Sequence, residues 1–225
     1  MKFDLLTVGV FAIAAICAYL ISGINPAIIL SKAIYGKDIR TLGSKNPGFT
    51  NFKRNFGMKW AIVVMALDLL KSALPAIAFG VVSGFIWGVQ YGSSEWYLVV
   101  TFTCLCSMLG HAYPVWYGFK GGKGFLVCLS AMWTVDWRVG LIATCAMVLL
   151  LLVTEYMSLS TTVAMLTCPV FLFVFGGLDA HPAIILCAVS VLFMAWRHKE
   201  NFKRLAKGKE SKFQLYKGNK NKKKK

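Results

Sequence analysis

Long apolar runs recur along this chain between basic, glycine-containing stretches, which leaves it few ways to fold. Each run must satisfy its backbone polar groups within its own helix once it leaves water. Such runs occupy 5–30, 58–88 and 96–119, and further apolar segments fill 125–135, 140–153, 158–175 and 182–196. They predict an all-α, polytopic membrane helix bundle of about seven transmembrane segments. Segments 125–135 and 140–153 fall short of the ~20 residues a crossing needs. The first run is too long for a signal-peptide core and has no small-residue cleavage site after it, so it reads as a helix interrupted by Ser22-Gly23 and Asn25-Pro26. With 57% apolar side chains in 225 residues and a mean hydropathy of +0.63, the chain is too apolar for a soluble domain of this length. The expected organisation is one integral membrane domain over 1–205 and a polybasic, disordered cytoplasmic tail over 206–225.

The distribution of positive charge predicts the topology. Of 25 lysines and arginines, seven lie in 31–59, two in 119–123 and thirteen in 197–225, leaving Lys2, Lys71 and Arg138. The excess of basic residues on cytoplasmic loops then predicts the N-terminus outside and the C-terminus inside. The net charge of +16 sits between and after apolar runs, which suits topology and anionic lipid at the tail, and nucleic acid is not an expected partner. Cys17, Cys104, Cys106, Cys128, Cys145, Cys168 and Cys187 all fall in apolar runs without a C-x-x-C pair. They read as small core residues, with no disulfide framework and no metal site.

Two stretches on the inward side carry anion-binding chemistry. The first is Gly110–Gly124, GHAYPVWYGFKGGKG. Gly121, Gly122 and Gly124 leave room for backbone N–H groups to face a phosphate, Lys120 and Lys123 add charge, and a helix beginning at Phe125 points its positive end to the same place. The spacing is not that of a Walker loop. The second, Gly43 to Asn51 followed by Arg54, offers the Ser44 hydroxyl, neutral donors on Asn46, Thr50 and Asn51, and a guanidinium fork. Each stretch read alone is also an ordinary basic connector; together on one face they point to phosphorylated ligands. Asp68 and Lys71 share a helix face at i, i+3, either as a structural ion pair or with the cation reaching toward the site. A lone His111 at a helix end is more often a hydrogen-bonding core residue than a base. Arg197-His198-Lys199-Glu200-Asn201 closes the last span with an acid, an imidazole and an amide where positive charge would suffice. No histidine is followed by Asp five positions on, and H-E-x-x-H, G-x-S-x-G and the Rossmann fingerprint are absent.

Taken together these stretches resemble the bacterial PlsY family of membrane glycerol-3-phosphate acyltransferases, which use acyl phosphate as donor. Gly43, Ser44, Asn46, Gly48, Thr50, Asn51 and Arg54 match its first motif, and Gly110 to Gly124 match its second without a gap. Leu67-Asp68, Lys71, Leu74-Pro75, Ser158-Leu159-Ser160 and Arg197-His198, Glu200-Asn201 match the remaining signatures in the same order. Lys45 and Phe49 stand where the family has Gly and Ala. The resemblance implies acyl transfer from acyl phosphate to the 1-hydroxyl of glycerol 3-phosphate, giving lysophosphatidate, at the cytoplasmic face of a bacterial inner membrane. It implies catalytic roles for Ser44, Arg54, Lys123, His198, Glu200 and Asn201. It assigns substrate binding to Asn46, Thr50, Asn51, Lys71, His111, Lys120, Gly121, Gly122 and Gly124, with no cofactor. The substrate's own phosphate is the favoured proton acceptor, His111, His198 and Glu200 also being admissible. A transporter of an anion or lipid phosphate, or an acyltransferase using acyl-CoA or another acceptor, remain the alternative readings.

Overall fold

The computed structural model describes residues 4–213. Among these there are ten α-helices and no strand: α1 Leu5–Gly23, α2 Pro26–Tyr35, α3 Phe49–Phe56, α4 Met58–Trp87, α5 Ser94–Ala112, α6 Phe125–Val135, α7 Trp137–Thr154, α8 Met157–Gly176, α9 His181–Arg197 and α10 Lys199–Ala206. Six spans are long and apolar enough to cross a membrane, the first combining α1 and α2, and the 11-residue α6 is too short. Segment 140–153 is longer than its apolar core indicates, because Asp136 caps the helix by accepting from the Arg138 N–H at 2.9 Å and starts it at Trp137. The polybasic stretch from 214 onward, like Lys2, lies outside the described residues.

The first apolar run breaks for a local reason. Ile24 is extended, Asn25 caps the next helix by accepting from the Ile28 N–H at 3.0 Å, and Pro26 occupies the first turn, where its missing N–H costs nothing. The break is pinned from α4: Lys71 donates to the Ile24 carbonyl at 3.0 Å, and Ser22 donates to the Lys71 carbonyl at 2.9 Å. On α5, a Cβ at Gly110 would collide with the Tyr19 backbone, so glycine lets α1 and α5 cross closely.

Helix α6 is the interior element. Val127 to Met132 and Val135 are buried in one apolar cluster with α5, α8 and α9. Because α6 stops inside the bundle, its N-terminal turn ends at the floor of a cavity that the other helices surround.

Candidate active site

A cavity of about 670 Å³ opens at the end of the bundle where the first loop, the glycine turn and the segment after α9 converge. Ser44, Asn46, Thr50 and Arg54 line it from the first loop and α3, Asp68 from α4, His111 from α5, and Lys123 to Leu126 from the glycine turn. His198, Asn201, Arg204 and Glu210 complete the polar end. Met65, Met147, Val148, Leu151 and Leu152 make the other end apolar.

The first loop is held from within. Asn51, 1% exposed, accepts from the Ser44 N–H at 3.1 Å and donates to the carbonyls of Leu42 and Ile39 at 3.0 and 3.3 Å. Its amide is therefore occupied in shaping the loop, which presents Ser44 and Arg54. Gly43 and Lys45 have φ of +53° and +59°. At position 45, a lysine stands in the left-handed region that costs a side-chain-bearing residue roughly 1–2 kcal/mol. Arg54 has no ion-pair partner among the described residues.

The glycine turn differs from the expected cradle. The N–H groups of Gly121 and Gly122 donate to the Ala112 and His111 carbonyls at 3.2 and 3.1 Å, and their own carbonyls accept from Arg197 at 3.3 and 3.0 Å. Glycine is required because a Cβ at 121 would press on the His111 carbonyl, and one at 122 would enter the His111 imidazole. Neither residue lines the cavity. The free donors come one turn later: Gly124, at φ +86°, opens α6 without a side-chain cap, and Phe125 and Leu126 line the cavity. An uncapped helix N-terminus is itself an anion site.

Lys123 donates to the Asn201 carbonyl oxygen. Burial, and then the positive charge of Arg204, bring its pKa down to about 8. His198, 6% exposed, holds Nδ1 2.9 Å from the Met194 carbonyl. A carbonyl only accepts, so the proton sits on Nδ1 and Nε2 is left as an acceptor. Burial first, and then Lys123, push the His198 pKa down to about 4, keeping the ring neutral.

Four other predicted site residues have partners or positions of their own. Lys71 pairs with Asp68 at 2.8 Å and is not among the residues that line the cavity. Lys120 is exposed and away from the lining. Glu200 pairs with Lys203 at 2.9 Å on the outer side of α10. His111 does line the cavity, but its Nδ1 is buried 3.9 Å from Asp68 and its ring supports Gly122.

Residue-level reading missed Arg204, Glu210 and Phe213. Past α10 the chain turns back. Glu210 accepts from Asn201 at 2.6 Å, Ser158 at 3.0 Å and Arg204 at 2.8 Å, and the Phe213 N–H donates to the Glu155 carbonyl at 2.7 Å. The one available signal was an acid in a basic stretch whose only other carboxylate is Glu200.

The charges decide the ligand class. Asp68 is neutralised by Lys71 and Glu210 by Arg204, which leaves Arg54, Lys123 and the α6 N-terminus as a positive surface above an apolar recess. Fold and site thus define a helical membrane protein whose pocket joins a cationic end to an apolar one. A family profile described as glycerol-3-phosphate acyltransferase matches residues 12–208. The glycerol-3-phosphate acyltransferases of Aquifex aeolicus and Rhodopseudomonas palustris are each 37% identical to it, over 88% and 91% of this chain and 96% of their own. The crystal structure of PlsY (YgiH), an integral membrane glycerol 3-phosphate acyltransferase, in its glycerol 3-phosphate form superposes with a TM-score of 0.79 at 33% identity, covering 91% of this chain and 96% of that one. Its lysophosphatidic acid form gives 0.76 at 32% identity, covering 91% and 95%. The chain belongs to the glycerol-3-phosphate acyltransferase family.

Proposed function

We propose that this enzyme transfers a fatty acyl group from acyl phosphate to the 1-hydroxyl of glycerol 3-phosphate, giving lysophosphatidate, at the cytoplasmic face of a bacterial inner membrane. The observation that carries this reading is the continuity of the cavity from the Arg54 and Lys123 cations to the recess of Met147, Val148, Leu151 and Leu152. The glycerol 3-phosphate and lysophosphatidic acid forms of PlsY supply the acceptor and product by analogy.

An acyl phosphate is a mixed anhydride, so positioning and charge stabilisation suffice for its attack by an alcohol. Arg54 and Ser44 bind the acceptor phosphate and fix its register. Lys123 and the α6 N-terminus bind the donor phosphate, stabilising charge as the bond from its oxygen to the acyl carbon breaks. The 1-hydroxyl oxygen forms the new bond to that carbon. Its proton passes to a substrate phosphate oxygen, while neutral His198 orients the hydroxyl through Nε2.

Purified enzyme in detergent is given glycerol 3-phosphate with acyl phosphate or with acyl-CoA. Stoichiometric phosphate and lysophosphatidate from acyl phosphate alone are expected. Turnover with acyl-CoA alone would overturn the donor assignment.

A further inference from the structure

Asn201 stands between two groups of fixed hydrogen-bonding sense. Lys123 only donates and the Glu210 carboxylate only accepts, so the amide must turn Oδ1 to Lys123 and Nδ2 to Glu210. Were Glu210 absent, the amide could rotate and present its NH2 to the ammonium, donor against donor.

Glu210 is itself well held. Oε1 takes Asn201 and Ser158, Oε2 takes Arg204, and the side chain is 9% exposed. The strap that carries it, residues 207–213, is fastened beyond it. Phe213 packs on Phe49 of α3 with ring centroids 6.3 Å apart and lies under the Lys53 ammonium at 3.9 Å, while Lys212 pairs with Glu155 at 2.6 Å. The strap thus joins α3, the α7–α8 turn and α10 around the cavity.

We propose that Glu210 is a positioning residue of this active site, orienting the Asn201 amide and through it holding the Lys123 ammonium toward the donor phosphate. The inference rests on the reaction proposed above. Glu210 acts on charge as well as direction. Arg204, Arg197 and His198 act on Lys123 along with the carboxylates Glu210 and Glu200, and Glu210 is the one that shares Asn201 with it. Burial alone would raise the Glu210 pKa, but hydrogen bonds from Asn201, Arg204 and Ser158 outweigh it, so the residue is an anion at neutral pH.

The test compares Glu210→Gln and Glu210→Asp with wild type, using whichever donor supports turnover. In Glu210→Gln, kcat should fall about tenfold with KM for glycerol 3-phosphate within about threefold, since the acceptor's contacts are untouched. The basic limb of its kcat–pH profile should move down by about half a unit or more, because Lys123 loses a neighbouring negative charge. Glu210→Asp, shorter but charged, should lower kcat while leaving the limb in place. A lowered unfolding midpoint with an unmoved limb in Glu210→Gln would reduce Glu210 to a structural residue and overturn the proposal. If Glu210→Gln does not purify as folded protein, a displaced limb in Glu210→Asp overturns it equally. Wild-type enzyme that makes no lysophosphatidate from acyl phosphate refutes the proposed reaction instead, a result distinct from either.

Discussion

Arg54 and Lys123 come from segments far apart in sequence and meet at one cavity with different electrostatic surroundings. Arg54 is exposed and has no ion-pair partner among the described residues, so Arg54→Ala should leave the unfolding free energy within about 0.5 kcal/mol of wild type. The same change removes the guanidinium proposed to hold the acceptor phosphate and should cost about 100-fold in kcat/KM for glycerol 3-phosphate, read by steady-state kinetics. Lys123 is charged below its pKa of about 8 and neutral above it. Activity that needs the ammonium is therefore present on the acid side and lost as pH rises through 8. Lys123→Arg keeps a cation at all accessible pH and should abolish that basic limb at some cost in kcat; a profile unchanged from wild type would assign the limb to another group. These two residues were legible in the sequence because charge and motif mark them. Asn51 shows the opposite case: it lines the cavity while its amide holds the loop, and in the sequence an amide looks the same whether it faces a ligand or a loop carbonyl.

At the level of elements, the glycine turn and α6 divide the work that the sequence had assigned to both together. The turn is a close-packed support, with its N–H groups spent on α5 and its carbonyls on Arg197. Gly122→Ala should therefore destabilise the protein by about 1–3 kcal/mol, seen as a lower unfolding midpoint in detergent, because the new methyl meets the His111 ring. A donor-specific rise in KM with an unchanged midpoint would restore the cradle reading. Donor N–H groups come instead from α6, whose N-terminus was visible as a helix beginning at Phe125. Its burial was not visible, because an 11-residue apolar helix has the same sequence whether it lies in the bundle core or at a membrane surface. The split of the first run into α1 and α2 was foreshadowed by Asn25-Pro26, which stops one helix and starts the next.

Across the whole molecule, the apolar recess formed by α4 and α7 is the feature that separates an acyltransferase from a site for a small anion. Met147→Trp, which fills that recess, should shift donor use toward shorter acyl chains while leaving KM for glycerol 3-phosphate within about twofold, measured with a series of acyl phosphates. An unchanged chain-length profile would move the acyl chain elsewhere. The helical class, most run boundaries to within a few residues, the basic stretches and the motif residues follow from the sequence alone. Hydrophobic length, helix breakers and charge are local properties, and a membrane permits few folds that satisfy them. Which of the motif residues line the cavity was decided only by tertiary structure. Lys71, Gly121, Gly122 and Glu200 turn to other parts of the protein, and Glu210 arrives from beyond the last span, because a side chain's partner is set by the helices packed around it.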